Sequence, residues 1–233
     1  MPSPEAVLFD NDGLLLDTEA VWTRGEQELF VVRGREFTLD HKRSLVGASA
    51  EIAAEKLARY LDEVGREIEI MAELDELVMA ELEGGVDAMV GALELLSAVR
   101  EAGTPVGLIS NSPRRFIERS HQVARTGMPF EAVVSGHEVP EAKPAPDAYL
   151  EGCRRLGVEP GKSVIALEDS PSGVTSARAA GLFVIGVPSV PGITLEEADL
   201  TATSLEDEPV LEALGIEPAK RPVTGPGRRA RDY

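Results

Sequence analysis

Four short polar clusters in this sequence carry side chains able to do chemistry, and each follows an apolar run. Asp10-Asn11-Asp12-Gly13 follows Ala6-Val7-Leu8-Phe9, and Ser110-Asn111-Ser112 follows Pro105-Val106-Gly107-Leu108-Ile109. Glu141-Ala142-Lys143-Pro144 comes after Ala132-Val133-Val134, and Glu168-Asp169-Ser170 directly after Ser163-Val164-Ile165-Ala166-Leu167. Two carboxylates spaced i, i+2 in extended chain point the same way. Glu168 and Asp169 add to them. At an effective dielectric near 20, two like charges about 4 Å apart repel by roughly 4 kcal/mol. A bound divalent cation removes that repulsion, and a hard-oxygen ligand set with few dedicated protein donors suits Mg²⁺. Ser110 supplies a hydroxyl and Lys143 an ammonium beside the metal, which together describe a pocket for a phosphoryl group. Lys143 can also hold one aspartate in its ionised, nucleophilic form.

What brings these clusters together is the order of elements. The apolar runs, with Phe183-Val184-Ile185-Gly186-Val187 as a fifth, read as strands covered on both faces. Helical patterns lie between them. Residues 88–102 carry Met89, Leu93, Leu96 and Val99 and stop at Gly103. Residues 146–156 place Tyr149, Leu150, Cys153 and Leu156 on one face and stop at Gly157. In 171–180, Ser170 fits the N-cap, Pro171 the first helical position and Gly181 the stop. Alternating strand and helix predicts an α/β fold, a doubly wound parallel sheet. Ligands of such sheets gather beyond the carboxyl ends of the strands, where all four clusters stand.

Residues 18–87 break the rhythm with helical patterns around 19–33, 50–63 and 69–83, and are read as an inserted helical module. The expected division is a core over 1–17 and 88–217, a helical cap over 18–87, and a flexible basic tail over 218–233. The 233 residues carry 23 basic and 41 acidic side chains, a net charge of −18. Repulsion opposes nucleic acid and anionic membranes as partners. One cysteine, Cys153, forms no internal disulfide. Without a signal-like N-terminus or a spanning apolar stretch, a cytoplasmic protein is expected, and nothing demands an oligomer.

The motifs Phe9-Asp10-Asn11-Asp12-Gly13-Leu14-Leu15-Leu16-Asp17-Thr18, Ile109-Ser110-Asn111-Ser112, Lys143-Pro144-Ala145-Pro146-Asp147 and Leu167-Glu168-Asp169-Ser170 stand in the order seen in the haloacid dehalogenase-like superfamily, which the sequence resembles from about residue 5 to residue 215. The likeness is to its subgroup of β-phosphoglucomutase and sugar-phosphate phosphatases, with a Rossmann-like core and a helical cap. The resemblance implies that Asp10 is the nucleophile, giving an aspartyl-phosphate, and that Asp12 is the general acid and base. It implies Mg²⁺ held by Asp10, the carbonyl of Asp12, and Asp169, with Glu168 in or beside that set. Ser110, the Asn111 amide and Lys143 would bind the phosphoryl oxygens. An acid at Asp12 favours phosphoryl transfer over dehalogenation.

The same resemblance separates hydrolase from mutase. Trp22 stands where the mutases carry a histidine, and Gly47-Ala48-Ser49 is followed by Ala50 rather than their arginine. The expected activity is therefore Mg²⁺-dependent hydrolysis of small phosphorylated sugars or polyols, with β-phosphoglucomutase as the rival reading. A phospho-accepting signalling module is the non-enzymatic alternative, and neither the long insertion nor Asp12 serves it. Trp22 fits cap packing or a substrate-facing place equally. Arg114 and Arg115 could add positive potential at the mouth or simply open a solvated helix. His137 reads as peripheral, and His41 and His121 carry no argument from sequence.

Overall fold

The computed structural model describes residues 3–217; the expected tail at 218–233 lies outside the described residues. Six parallel strands form one sheet: β1 (Ala6–Phe9), β2 (Val106–Ser110), β3 (Ala132–Ser135), β4 (Val164–Glu168), β5 (Phe183–Gly186) and β6 (Leu200–Thr201). Their spatial order is β3-β2-β1-β4-β5-β6, so β1 lies at the centre with chain leaving it toward both edges. The doubly wound parallel α/β architecture read from the sequence is the one observed.

The strands lack surface periodicity because both faces are covered. Val7, Phe9, Val106, Leu108, Ile165 and Leu167 enter one apolar cluster, and Ala6, Leu8, Ile109, Val134, Val164 and Ala166 the other. The first cluster packs under α5 (Ala92–Glu101), α6 (Arg114–Ala124) and α9 (Glu208–Leu214); the second packs under α7 (Asp147–Leu156) and α8 (Pro171–Ala179). Burying each large aliphatic side chain contributes about 1.5–3 kcal/mol. Helix α8 begins as its sequence dictates: Ser170 accepts a hydrogen bond from the Gly173 amide and Pro171 sits in the first turn.

Register sets the site. Phe9 is level with Leu108 on β2 and Leu167 on β4, so Asp10 leaves β1 at the height where β2 and β4 also end. The Asp10 amide donates to the Leu167 carbonyl, extending the pairing by one bond. Residues 12–16 then form a tight turn in which the Gly13 amide donates to Leu16. Leu16 pairs antiparallel with Ala88, and the Asp17 amide donates to Asp87. The outgoing and returning chains are thus stitched together.

Between those connections lie α1 (Thr18–Val31), α2 (Leu39–Leu45), α3 (Ala50–Tyr60) and α4 (Glu67–Leu82). Their shared apolar filling includes Leu29, Phe30, Leu57, Ile70, Leu74, Val78 and Leu82. Helices α1 and α4 cross closely at Gly25, where a Cβ would fall 2.6 Å from Val78 Cγ2. Ion pairs Arg115–Asp75 and Arg119–Glu83 join α6 to α4 and to its C-terminal end.

Several local expectations need correction. The segment 88–102 is helical only from Ala92, because Gly91 adopts φ +77° and the Met89 amide is engaged with Leu15. Leu93 and Leu150, assigned to buried faces, are 37% and 39% exposed; Leu95 and Ala148 fill those faces instead. Helix α2 and strand β6 had no reading in sequence. The first, LDHKRSL, has little apolar patterning and depends on a capping box in which Thr38 and His41 exchange hydrogen bonds. The second has two residues.

Candidate active site

At the carboxyl end of β1, the Lys143 ammonium donates to Asp10 Oδ1 at 2.6 Å, to Glu168 Oε1 at 2.6 Å and to the Ile109 carbonyl at 2.9 Å. Three acceptors satisfy its three protons. Burial works against the charge of Lys143, but Asp10 and Glu168 outweigh it and push its pKa up. The lysine loop is fixed by Asn111, whose Oδ1 accepts from the Lys143 amide at 3.0 Å while Nδ2 donates to the Lys143 carbonyl at 3.1 Å. Nδ2 also donates to the Gly47 carbonyl in the helical insertion at 3.3 Å. Asn111 therefore does a structural task with its side chain, whatever its amide does.

Glu168 is fully buried and accepts from Lys143, from the Tyr149 hydroxyl at 2.6 Å and from Ser170 Oγ at 3.3 Å. Tyr149 had no site reading in sequence; its helical spacing signalled burial alone. Asp169 Oδ2 accepts from Ser189 Oγ at 2.5 Å, and Ser189 likewise had no signal. Gly13 is obligatory beside it: φ is +85°, and a Cβ would sit 2.3 Å from Asp169 Oδ2.

Asp12 lies apart from this group. Its Oδ2 accepts from Ser110 Oγ at 2.6 Å and Ser112 Oγ at 2.9 Å, and its Oδ1 from Thr18 Oγ1 at 2.7 Å and Asn11 Nδ2 at 3.1 Å. Four donors around one carboxylate describe a saturated acceptor.

Asp10, Glu168 and Asp169 offer oxygens within 4.8 Å of one another. Burial raises the pKa of Asp10 well above the ordinary carboxylate range; Lys143 opposes this, and Glu168 and Asp12 add to it. Asp169 is raised likewise, by burial first and then by Asp10, Glu19 and Glu168. One ammonium does not neutralise three buried carboxylates. A divalent cation would, and all-oxygen donors suit a hard one, so the residues fit a metal.

A cavity of about 550 Å³ opens above Asp10, Asp12, Asp169 and Lys143, with the insertion as its far wall. Trp22 lines it while its ring packs 5.2 Å from Phe116 of α6. Lys42, absent from the sequence reading, lines it too, and pairs with Glu19 at 2.7 Å and Glu26 at 3.0 Å. Arg115 reaches the cavity rim and pairs with Asp75, whereas Arg114 is held by Glu138 at 2.6 Å. His137 lines the cavity from a single 3₁₀ turn.

Comparison with known proteins gives the family of the chain. The family model described as haloacid dehalogenase-like hydrolase matches residues 7–187. The chain is 33% identical over 214 residues to hexitol phosphatase A of Escherichia coli (strain K12), covering 85% of this chain and 90% of that protein. CbbY from Rhodobacter sphaeroides, in complex with xylulose-(1,5)bisphosphate, superposes with a TM-score of 0.76 at 26% identity, over 91% of this chain and 99% of that one. β-Phosphoglucomutase from Clostridium difficile shares the fold with a TM-score of 0.78 at 21% identity, over 91% and 97% of the two chains. The chain belongs to the haloacid dehalogenase-like hydrolase family, as an enzyme of its phosphoric monoester hydrolase kind.

Proposed function

We propose that this protein is a Mg²⁺-dependent phosphatase of small sugar or polyol monophosphates, working through an aspartyl-phosphate on Asp10. The observation that carries the reading is the Lys143 ammonium on Asp10 Oδ1. It orients the carboxylate, opposes the burial that disfavours its charge, and leaves Oδ2 to attack phosphorus. Residues 18–87 act as a cap that closes the cavity and meets the carbon skeleton of the substrate. The likeness to hexitol phosphatase A supports the substrate class.

In the first half-reaction an Asp10 Oδ2–phosphorus bond forms and the phosphorus–alkoxide bond breaks. Asp12 gives its proton to the departing oxygen, which a poor alkoxide leaving group requires. In the second, water attacks the same phosphorus, its proton passes to Asp12, and Asp10 is released. Ser110, the Asn111 amide and Lys143 bind the equatorial oxygens. Asp10, the Asp12 carbonyl and Asp169, with Glu168 beside them, would hold Mg²⁺, which supplies charge neutralisation at the phosphoryl oxygens.

Trp22 and Ala50 favour hydrolysis over the mutase alternative, because Trp22 does not pair with the general acid as the mutases' histidine would and Ala50 supplies no cation for a second phosphate. Among the described residues, no helix is long and apolar enough to cross a membrane, and a cytoplasmic location accords with the single buried cysteine. The deciding experiment is a Mg²⁺-dependent screen of phosphate release from hexitol, hexose and glycerol phosphates, with Asp10→Asn as control. Phosphate release abolished by Asp10→Asn supports the proposal. Isomerisation of β-glucose 1-phosphate without phosphate release would replace it with the mutase.

A further inference from the structure

His121 lies on α6 and is 1% exposed, with no part in the chemistry described above. Its Nε2 is 2.9 Å from Oδ1 of Asn11, the residue between Asp10 and Asp12, and its Nδ1 meets the Thr126 hydroxyl. Asn11 is itself fully buried. Its backbone carbonyl accepts from the Leu15 and Leu16 amides at 3.1 Å each, so the turn after β1 is anchored on this residue. Its Nδ2 donates to Asp12 Oδ1 at 3.1 Å.

We propose that Thr126, His121 and Asn11 form a positioning relay that orients the Asp12 carboxylate. The proposal rests on the reading of Asp12 as the general acid. The direction of the relay follows from donor counting. The Asp12 carboxylate only accepts, so Asn11 turns its NH₂ toward Asp12 and its Oδ1 toward His121; Nε2 then carries the ring proton and Nδ1 accepts from the Thr126 hydroxyl. Reversed, the amide would set its oxygen against a carboxylate oxygen and its NH₂ against the N–H of His121, leaving two buried clashes of like groups. Burial pushes the His121 pKa down to about 4, so the ring stays neutral through the physiological range and has one proton to place.

Of the four donors around Asp12, Thr18, Ser110 and Ser112 carry hydroxyls that rotate to suit either position of the carboxylate. Only the Asn11 amide has its donor direction dictated from elsewhere, by a residue 110 positions away. The relay therefore sets one place to which the carboxylate returns between proton donation and proton abstraction.

The test separates this role from a structural one by leaving group. A general acid matters for alkyl phosphates and little for 2,4-dinitrophenyl phosphate, whose phenolate departs unaided. His121→Leu should lower kcat/KM for an alkyl phosphate, which reports the steps up to departure of the alcohol, by about tenfold or more, part of the ~10²–10⁴-fold that general acid–base catalysis supplies. kcat/KM for 2,4-dinitrophenyl phosphate should stay nearly unchanged, because hydrolysis of the aspartyl-phosphate, which Asp12 assists for both substrates, does not enter it. His121→Gln, which keeps a donor toward Asn11, should recover much of the loss. Thr126→Val, a milder change that leaves the ring in place, should show the same selectivity at smaller size and serves if His121→Leu does not fold. Asp12→Asn is the reference. If Asp12→Asn lacks leaving-group selectivity, the general-acid reading fails and the relay with it. If Asp12→Asn is selective and the relay variants slow both substrates equally, or neither, the relay alone is overturned.

Discussion

Ser110 Oγ donates to Asp12 Oδ2 at 2.6 Å, linking the end of β2 to the turn after β1 across 98 residues. The hydroxyl proposed to bind phosphate is thus spent on the proposed general acid until substrate arrives. Substrate binding must exchange one anionic acceptor for another, so the hydroxyl is never left unpaired.

Removing that hydroxyl should weaken both states of the exchange. Ser110→Ala is expected to lower kcat/KM by about 10- to 100-fold, the equivalent of one hydrogen bond to a charged group at ~1.5–3 kcal/mol. Steady-state kinetics on an alkyl phosphate reads this directly. An unchanged kcat/KM would remove Ser110 from the phosphate site.

The buried acids make a prediction about metal and pH. Asp10 and Asp169 have folded-state pKa values raised above their unfolded ones, through burial and then neighbouring charge. The folded form holds protons that the unfolded form releases. Metal-free stability should therefore be full below pH about 4 and fall as pH climbs through the raised values. Mg²⁺ should raise Tm most at the alkaline end, and Asp169→Asn should blunt that response. Scanning calorimetry with EDTA and with Mg²⁺ across pH 5–9 checks both; an equal Mg²⁺ effect in wild type and variant would count against the ligand set.

Lys143→Met strands Asp10 and Glu168 without their common counter-ion. Breaking one side of a buried ion pair is destabilising by about 3–5 kcal/mol, so the urea midpoint should drop along with activity. Lys143→Arg should not rescue, because the site is closed around a compact ammonium with three acceptors in place. A variant of wild-type stability would contradict the geometry.

In the insertion, burial raises the pKa of Glu26 to about 7 despite Lys42 at 3.0 Å, and Glu19 adds to the rise. The sign is that of a raised carboxyl: its contribution is favourable below the unfolded value and is lost as pH passes through about 7. Relative to wild type, Glu26→Gln should gain stability at pH 8 over pH 5. Equal Tm differences at the two pH values would show that Glu26 does not titrate in that window.

The sheet was legible in sequence because strands buried on both faces leave unbroken apolar runs, and the run ends marked Asp10, Ser110 and Glu168 directly. Ser170, Pro171 and Gly181 delimited α8 through capping chemistry that is local to the chain. Leu93 and Leu150 misled because helical spacing locates a stripe only to within a residue, and which flank is buried depends on the facing element. Helix α2 escaped notice because a seven-residue helix has too few turns to show a period.

The sequence alone determined which chemical groups are present and at which end of the sheet they stand, since both follow from residue type and local pattern. Tertiary structure alone decided which donor meets which oxygen: Lys143 on Asp10 and Glu168, Lys42 on Glu19 and Glu26, His121 on Asn11. Those pairings depend on strand register and helix rotation fixed by packing between distant segments. No local periodicity records them, because every segment involved would look the same with its partner displaced by one turn.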